Sequence, residues 1–408
     1  MTHQDCTTAI SSPRPIAAAG LGRIVENLPR TLLILLALAV HVASKAGTQA
    51  EKVKTVVDAA IRPLMTKHEI PGMAVSLTVR GQSYFFNYGV AARDSGAAVT
   101  DSTLFEIGSV SKMFTTTLAA YGQATGQLSL DAHPGRYMPR LQGRPIDRAT
   151  LLHLGTYTVG GLPLQFPEHV GDDLAALEYF HNWKASGPPG AVREYSNPSI
   201  GLLGEITAVA MQGRFATLVE THLLQKLGMT HTHIDVPPQS LADYAWGHRA
   251  SQQVRVSPGP LDDPTYGLKS TASDLLRFLQ ANIDPNGLDI PLRNAIRTTQ
   301  IGRFRVGGMV QCFGWEQFPY PVDREMLLGG NAPEVIFEPN PVQRVGAQRD
   351  ASPWLYGKTG STGGFGAYVM FVPTERFGLV ILANRNFPIA ARIETAHTIL
   401  EQLVQAQL

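Results

Sequence analysis

Val75-Ser76-Leu77-Thr78-Val79-Arg80-Gly81-Gln82-Ser83-Tyr84-Phe85-Phe86-Asn87-Tyr88 reads as a hairpin. Val75, Leu77 and Val79 alternate with Ser76 and Thr78, a turn falls at Arg80-Gly81-Gln82, and Tyr84 to Tyr88 returns as a second strand. Strand side chains point alternately to opposite faces, so this pattern turns one face toward a core. The far end repeats the signal, with strands expected over Ala367 to Val372 and Leu379 to Ala383. Two amphipathic helices lie outside these strands. Lys52 to Lys67 carries Val53, Val56, Val57, Ala60 and Leu64 at helical spacing, and Arg392 to Gln405 carries Ile393, Ala396, Ile399, Leu400 and Leu403. Strands at both chain ends with a long helical and loop-rich middle predict an α+β fold. An antiparallel sheet built from both termini, about 47–105 and 340–408, would be flanked by helices and carry an inserted, mostly helical domain over about 106–339.

Composition agrees with a globular enzyme. A chain of 408 residues with 44% hydrophobic content can bury a large core. A net charge of +1 gives no long-range field to attract nucleic acid or an anionic membrane surface. No basic run, repeat or low-complexity tract supports a nucleic-acid module or a solenoid. The expected partner is a small molecule, and the expected state a monomer.

Leu32 to Val42 is almost wholly apolar, preceded by Arg23 and Arg30 and followed by Ser44-Lys45-Ala46, which offers small residues, Ser44 and Ala46, at the positions a signal peptidase reads. This predicts a secretory leader over 1–46, cleaved near Ala46. A buried core helix would have the same composition, but the N-terminal position and the lack of flanking turn chemistry argue against it. The run falls short of the roughly 20 apolar residues that span a bilayer, so no stable anchor is expected after cleavage. Cys6 would leave with the leader, and Cys312 alone can form no internal disulfide.

The chemistry is expected from Leu104-Phe105-Glu106-Ile107-Gly108-Ser109-Val110-Ser111-Lys112, where a serine and a lysine stand three residues apart as an apolar helical pattern begins. At this spacing the side chains share one helix face. A hydroxyl is a poor nucleophile at neutral pH unless a base takes its proton, and an amine in a partly desolvated pocket can do so. A helix-capping serine with a solvated lysine one turn on would give the same pair. Two later elements favour the catalytic reading: Tyr195-Ser196-Asn197 and Lys358-Thr359-Gly360-Ser361. Ser-x-x-Lys, a Ser-Asp-Asn element and Lys-Thr-Gly form a serine acyl-transfer set, and here Tyr-x-Asn stands in the middle place.

This trio resembles the class C serine β-lactamases, and the likeness covers nearly all of the chain after the leader. Thr156-Tyr157-Thr158-Val159-Gly160-Gly161-Leu162-Pro163-Leu164-Gln165, Tyr266-Gly267-Leu268-Lys269-Ser270 and Ala383-Asn384-Arg385-Asn386-Phe387-Pro388 carry it as well. The resemblance implies a periplasmic hydrolase of penicillins and cephalosporins with no cofactor or metal, whose cleft lies between sheet and helices. It implies Ser109 at the start of a buried helix, Tyr195 on a loop and Lys358 on an edge strand. It also implies that Ser109 attacks the lactam carbonyl, that the backbone N–H groups of Ser109 and Ser361 hold the oxyanion, and that Lys112 and Lys358 favour the Tyr195 phenolate as a base. Gln165 and Asn197 would meet the substrate's side-chain amide. Thr359 and Arg392 would bind its carboxylate, with Tyr266 and Gly360 completing the binding surface. Whether Tyr195 or Lys112 takes the first proton stays open.

Some residues depart from the pattern. Ile389 stands three positions before Arg392, where many family members carry Asn, and Met113 stands where threonine is frequent. The Glu-x-x-Leu-Asn deacylation motif of class A enzymes is missing from the sequence. His231-Thr232-His233-Ile234-Asp235 matches a zinc-binding His-x-His-x-Asp, but Val236 stands where a further histidine would continue that motif, and incidental surface histidines are the simpler reading. A D,D-peptidase, an esterase, or a penicillin-binding sensor that stays acylated remain as alternatives within the same chemistry.

Overall fold

The computed structural model describes residues 30–346 and 353–406, with side chains from residue 49 onward. Residues 1–52 separate from 53–408 as a unit of their own. Apart from helical backbone beginning at Arg30, the expected leader lies outside the described residues. No helix among the described residues is long and apolar enough to cross a membrane.

The unit from Val53 onward is α+β. Helix α1 (Arg30–Lys67) leads into strands β1 (Gly72–Val79) and β2 (Gln82–Gly89). The middle of the chain supplies β3 (Gly302–Val306), β4 (Met309–Cys312), β5 (Glu316–Pro319) and the short β6 (Gln343–Arg344). The C-terminal part adds β7 (Trp354–Ser361), β8 (Gly366–Val372) and β9 (Phe377–Ala383). Together they form one nine-stranded sheet in the order β6-β3-β4-β5-β7-β8-β9-β1-β2, with every pairing antiparallel.

Two features differ from the sequence reading. Residues 302–319, expected within the helical insertion, extend the sheet instead. As a result β7, which carries Lys358, is an interior strand: Gly357 faces Glu316 of β5 on one side and Met370 of β8 on the other.

Both faces of the sheet are covered. On one, Met73, Val75 and Leu77 of β1 join Leu379 and Ile381 of β9 and pack against Val53, Val57 and Ile61 of α1. Helix α7 (Ile389–Gln405) adds Ile393, Ile399 and Leu403 to this core. On the other face, Val369, Phe371, Val380 and Leu382 meet the helical layer. That layer includes α2 (Ser111–Ala124), α3 (Asn197–Ala210), the one-turn α4 (Asp263–Tyr266), α5 (Ala272–Ile283) and α6 (Ile290–Thr299). Burial on both sides explains why β1 is inaccessible along its whole length despite its polar alternation. Ser76, on the helix-facing side, donates to the Ala272 carbonyl at the start of α5 at 2.6 Å, which satisfies a hydroxyl that would otherwise be costly to bury.

Candidate active site

Ser109 sits in a single 3₁₀ turn, Gly108–Val110, immediately before α2. Gly108 makes the turn possible: its φ of +52° lies in the left-handed region, and a Cβ there would come within 2.5 Å of the Ser361 backbone nitrogen. Gly360 is constrained from the opposite side, because its Cβ would lie 2.0 Å from the Ile107 carbonyl oxygen. Two glycines therefore let β7 press backbone to backbone against the turn that holds Ser109. This brings the Ser109 and Ser361 main chains, remote in sequence, to one place.

Lys112 Nζ donates to Ser109 Oγ at 3.1 Å and to the Thr265 carbonyl at 2.9 Å. It is completely buried. Burial, reinforced by the nearby Lys358 charge, lowers its pKa to about 8 although Tyr195 opposes the shift. Tyr195 lies just before α3, whose N-terminus is capped by the Ser196 hydroxyl accepting from the Ser199 N–H at 3.1 Å. The Tyr195 ring centre is 5.4 Å from Lys112 Nζ and 4.9 Å from Lys358 Nζ. Burial alone would raise the phenol's pKa, but the two ammonium groups outweigh it and bring the value down to about 8. The Tyr195 hydroxyl is buried beside Ser109 and Lys112, which both favour its ionised form, and no well-formed hydrogen bond satisfies it. A buried hydroxyl left in this way is costly in a structural role, and here it lies next to the nucleophile.

Lys358 is anchored by a residue that sequence reasoning missed. Its Nζ donates to Glu316 Oε1 at 3.2 Å, across the β5–β7 pairing. Burial pushes the Lys358 pKa down, Glu316 and Tyr195 push it up, and the net direction is up. Glu316 also faces Arg193, whose Nη2 lies 3.7 Å away. Arg193 in turn donates to Gln311 Oε1 and to the Val335 carbonyl, each at 2.8 Å, and its Cζ lies 5.4 Å from the Tyr157 ring centre. Tyr157 and Tyr195 are in ring contact at 4.7 Å. The tyrosine is thus held in a frame of three cations and one carboxylate. Neither Glu316 nor Arg193 belongs to a local motif, and nothing in their sequence neighbourhood separates them from other charged residues.

A cavity of about 690 Å³ opens above these groups, lined by Ser109, Tyr195, Lys358 and Ser361. Gln165, Asn197, Tyr266, Thr359 and Gly360 line it too, so the expected binding residues share one surface. Asn197 Oδ1 is buried without a hydrogen-bond partner. Ile336 and the exposed Phe337 form an apolar part of the rim that the sequence did not indicate.

Arg392 does not reach this surface. It is fully buried behind β7, and its Nη1 donates to the Gly360 carbonyl at 2.6 Å and to Ser361 Oγ at 2.9 Å. Its Nη2 donates to Asn386 Oδ1 at 2.6 Å and to the Phe387 carbonyl. The direct carboxylate contact expected of Arg392 is therefore absent from this geometry, because neighbouring oxygens occupy both terminal nitrogens. Burial pulls the guanidinium pKa down to about 9.

The histidine pair lies elsewhere. The His231 N–H donates to Asp274 Oδ2 at 2.7 Å, while His233 pairs with Lys269 in a small three-stranded sheet. Among the described residues no group of three or more His, Cys, Asp or Glu is arranged to hold a metal ion.

The β-lactamase family model matches residues 57–404, which include every group above. This chain belongs to the β-lactamase family. A β-lactamase of Pseudomonas fluorescens is 46% identical over 359 residues, covering 87% of this chain and all of that one. A β-lactamase of Escherichia coli K12 is 38% identical, covering 90% and 98%. Among solved structures, a class C β-lactamase in complex with cefoxitin aligns with a TM-score of 0.83 at 40% identity, over 87% of this chain and 99% of that one. A D-alanine carboxypeptidase from Burkholderia cenocepacia aligns with a TM-score of 0.82 at 45% identity, over 87% and 100%. Within the β-lactamase family the chain is a class C serine hydrolase.

Proposed function

We propose that the chain hydrolyses the lactam ring of cephalosporins and penicillins through a covalent acyl-enzyme on Ser109. The observation that carries this reading is the Tyr195 hydroxyl, buried beside Ser109 without a well-formed hydrogen bond and flanked by two ammonium groups. A phenolate in that position removes the Ser109 proton, and Oγ attacks the lactam carbonyl carbon. The backbone N–H groups of Ser109 and Ser361 stabilise the oxyanion. The ring C–N bond then breaks, the leaving nitrogen takes up a proton, and an ester remains on Ser109. Tyr195 next activates the water that hydrolyses this ester. Lys112, whose pKa is lowered to about 8, presents a neutral amine 3.1 Å from Ser109 Oγ when deprotonated and is then the alternative acceptor of that proton.

Gln165 and Asn197 are assigned to the substrate's side-chain amide, and Thr359 to its carboxylate. The apolar run Leu32 to Val42 supports export to the periplasm, with 47–408 as the mature, monomeric enzyme. A D-alanine carboxypeptidase uses the same acyl step, and one structural relative carries that name. Turnover of a chromogenic cephalosporin, followed together with the intact protein mass, decides between these readings. Sustained turnover without a persistent adduct supports the lactamase. A persistent adduct on each chain means penicillin binding without hydrolysis.

A further inference from the structure

Strand β6 forms the outer edge of the sheet and pairs with β3, setting Arg344 opposite Phe304. Arg303 of β3 and Arg344 of β6 line one cavity of about 270 Å³ there, together with Phe304 and with Leu152 of the short helix Leu151–Gly155. This cavity shares no lining residue with the catalytic one. An adjoining cavity of about 480 Å³ has Val345 and Gly346 in common with it and adds Arg297 and Arg305. Among the described residues no Asp or Glu lines either cavity. A chain whose net charge is only +1 thus gathers four arginines at one place, and the local field attracts anions.

Charged side chains on an edge strand commonly do no more than discourage pairing with another chain, and the exposed Arg344 would serve that purpose. Arg303 is different. Its Nε is buried and has no hydrogen-bond partner, and among the described residues neither guanidinium forms a side-chain hydrogen bond or an ion pair. Burial holds the Arg303 pKa below its ordinary value and the Arg344 charge adds to this, while Cys312 and Asp131 oppose it. A partly buried donor without an acceptor is costly, and so is a second cation beside it. One anion placed between the two arginines removes both costs.

We propose that Arg303 and Arg344 bind a phosphate group, as inorganic phosphate or as a phosphate monoester. Each guanidinium presents five N–H donors in a planar fork that suits phosphate oxygens. A carboxylate brings one charge and two oxygens to two such forks. A phosphate group near neutral pH brings a charge of about −1.5 to −2 and at least three acceptor oxygens, which matches two unpaired cations better. Leu152 and Phe304 give the cavity an apolar wall for the organic part of a monoester.

The test titrates the full-length protein with sodium phosphate, against sodium chloride at matched ionic strength, by isothermal calorimetry in wild type, Arg303→Gln and Arg344→Gln. Arg344 is solvent-exposed, so its variant is expected to fold and decides the matter even if Arg303→Gln does not. Loss of hydrogen bonds to a charged group predicts phosphate binding weaker by about tenfold or more in each variant. A second arm measures co-sedimentation with phosphatidylcholine vesicles with and without phosphatidic acid, whose headgroup is a phosphate monoester. Binding to the phosphatidic acid vesicles that Arg344→Gln loses assigns the phosphate to a lipid surface, and binding to free phosphate alone assigns it to a soluble compound. A wild type that binds neither phosphate nor these vesicles more than their controls, or an Arg344→Gln that binds as tightly as wild type, overturns the proposal.

Discussion

Gly360 lies against Ile107 so closely that a single added methyl group would stand 2.0 Å from the Ile107 carbonyl oxygen. The contact joins a strand near one end of the chain to the turn before the nucleophile, and it sets the spacing between the Ser109 and Ser361 main chains. Gly360→Ala should force the two apart while leaving most of the core untouched. Losing one aligned oxyanion donor costs roughly 10²- to 10³-fold in kcat. Steady-state kinetics beside a thermal melt would show this as a large fall in kcat in a variant that still folds, with Tm lowered by the overpacking, and near-normal kcat would contradict the account.

Glu316 holds Lys358 at 3.2 Å and faces Arg193 at 3.7 Å, with all three side chains buried. Removing one partner of such a group leaves uncompensated charge, at a cost of about 3–5 kcal/mol. Glu316→Ala should therefore melt well below wild type. The milder Glu316→Gln removes a charge that raises the Lys358 pKa, so the ammonium should lose its proton at a lower pH. The alkaline limb of the kcat/KM profile should move to lower pH, and an unshifted limb would separate Lys358 from the rate-determining ionisations.

The Tyr195 phenol titrates near about 8 in the folded protein, against an ordinary value of 10.0. Between these values the unfolded chain holds the proton that the folded chain has released, so the site adds stability as pH rises. That stability is fully present above about 10 and is lost as pH falls through about 8. Relative to Tyr195→Phe, wild type should gain on the order of a few degrees in Tm between these limits. Parallel Tm-versus-pH curves for the two proteins would show that the phenol is not ionised in the fold.

Cys312 is wholly buried, and burial pushes its thiol pKa upward, away from the reactive thiolate. Its Sγ lies 3.0 Å from Gln317 Oε1. Alkylation followed by peptide mapping should leave Cys312 unlabelled in the native enzyme and label it fully after unfolding. Rapid native labelling would mean that β4 opens readily.

The sequence carried what is local. Ser109 and Lys112 share one turn, so their contact follows from spacing, and the alternation of Val75, Leu77 and Val79 marked β1. Residues 302–319 were missed as sheet because the strands there are only four or five residues long and broken by Gly307, Gly308 and Gly314. The same strands correct the edge position that the resemblance implied for Lys358, since β5 pairs with β7 on that side. Glu316 and Arg193 reach the site only through sheet pairing and helix packing across long sequence separations. The expectation that Arg392 meets the substrate carboxylate rests on the family resemblance alone. The position of this side chain behind Gly360 depends on how α7 docks on the sheet, which no spacing within the helix encodes.

The central claim is that Ser109 becomes acylated and that Tyr195 clears the ester. Tyr195→Phe keeps the ring and its contacts with Tyr157 but removes the proton acceptor, a change that typically costs about 10²- to 10⁴-fold. Acylation can still proceed through Lys112, whose Nζ is 3.1 Å from Ser109 Oγ. The decisive measurement is acid quench of Tyr195→Phe during reaction with a good cephalosporin, followed by peptide mass mapping. The account predicts a long-lived adduct on Ser109, absent in Ser109→Ala. An adduct on another residue, or turnover equal to wild type in either variant, would contradict it.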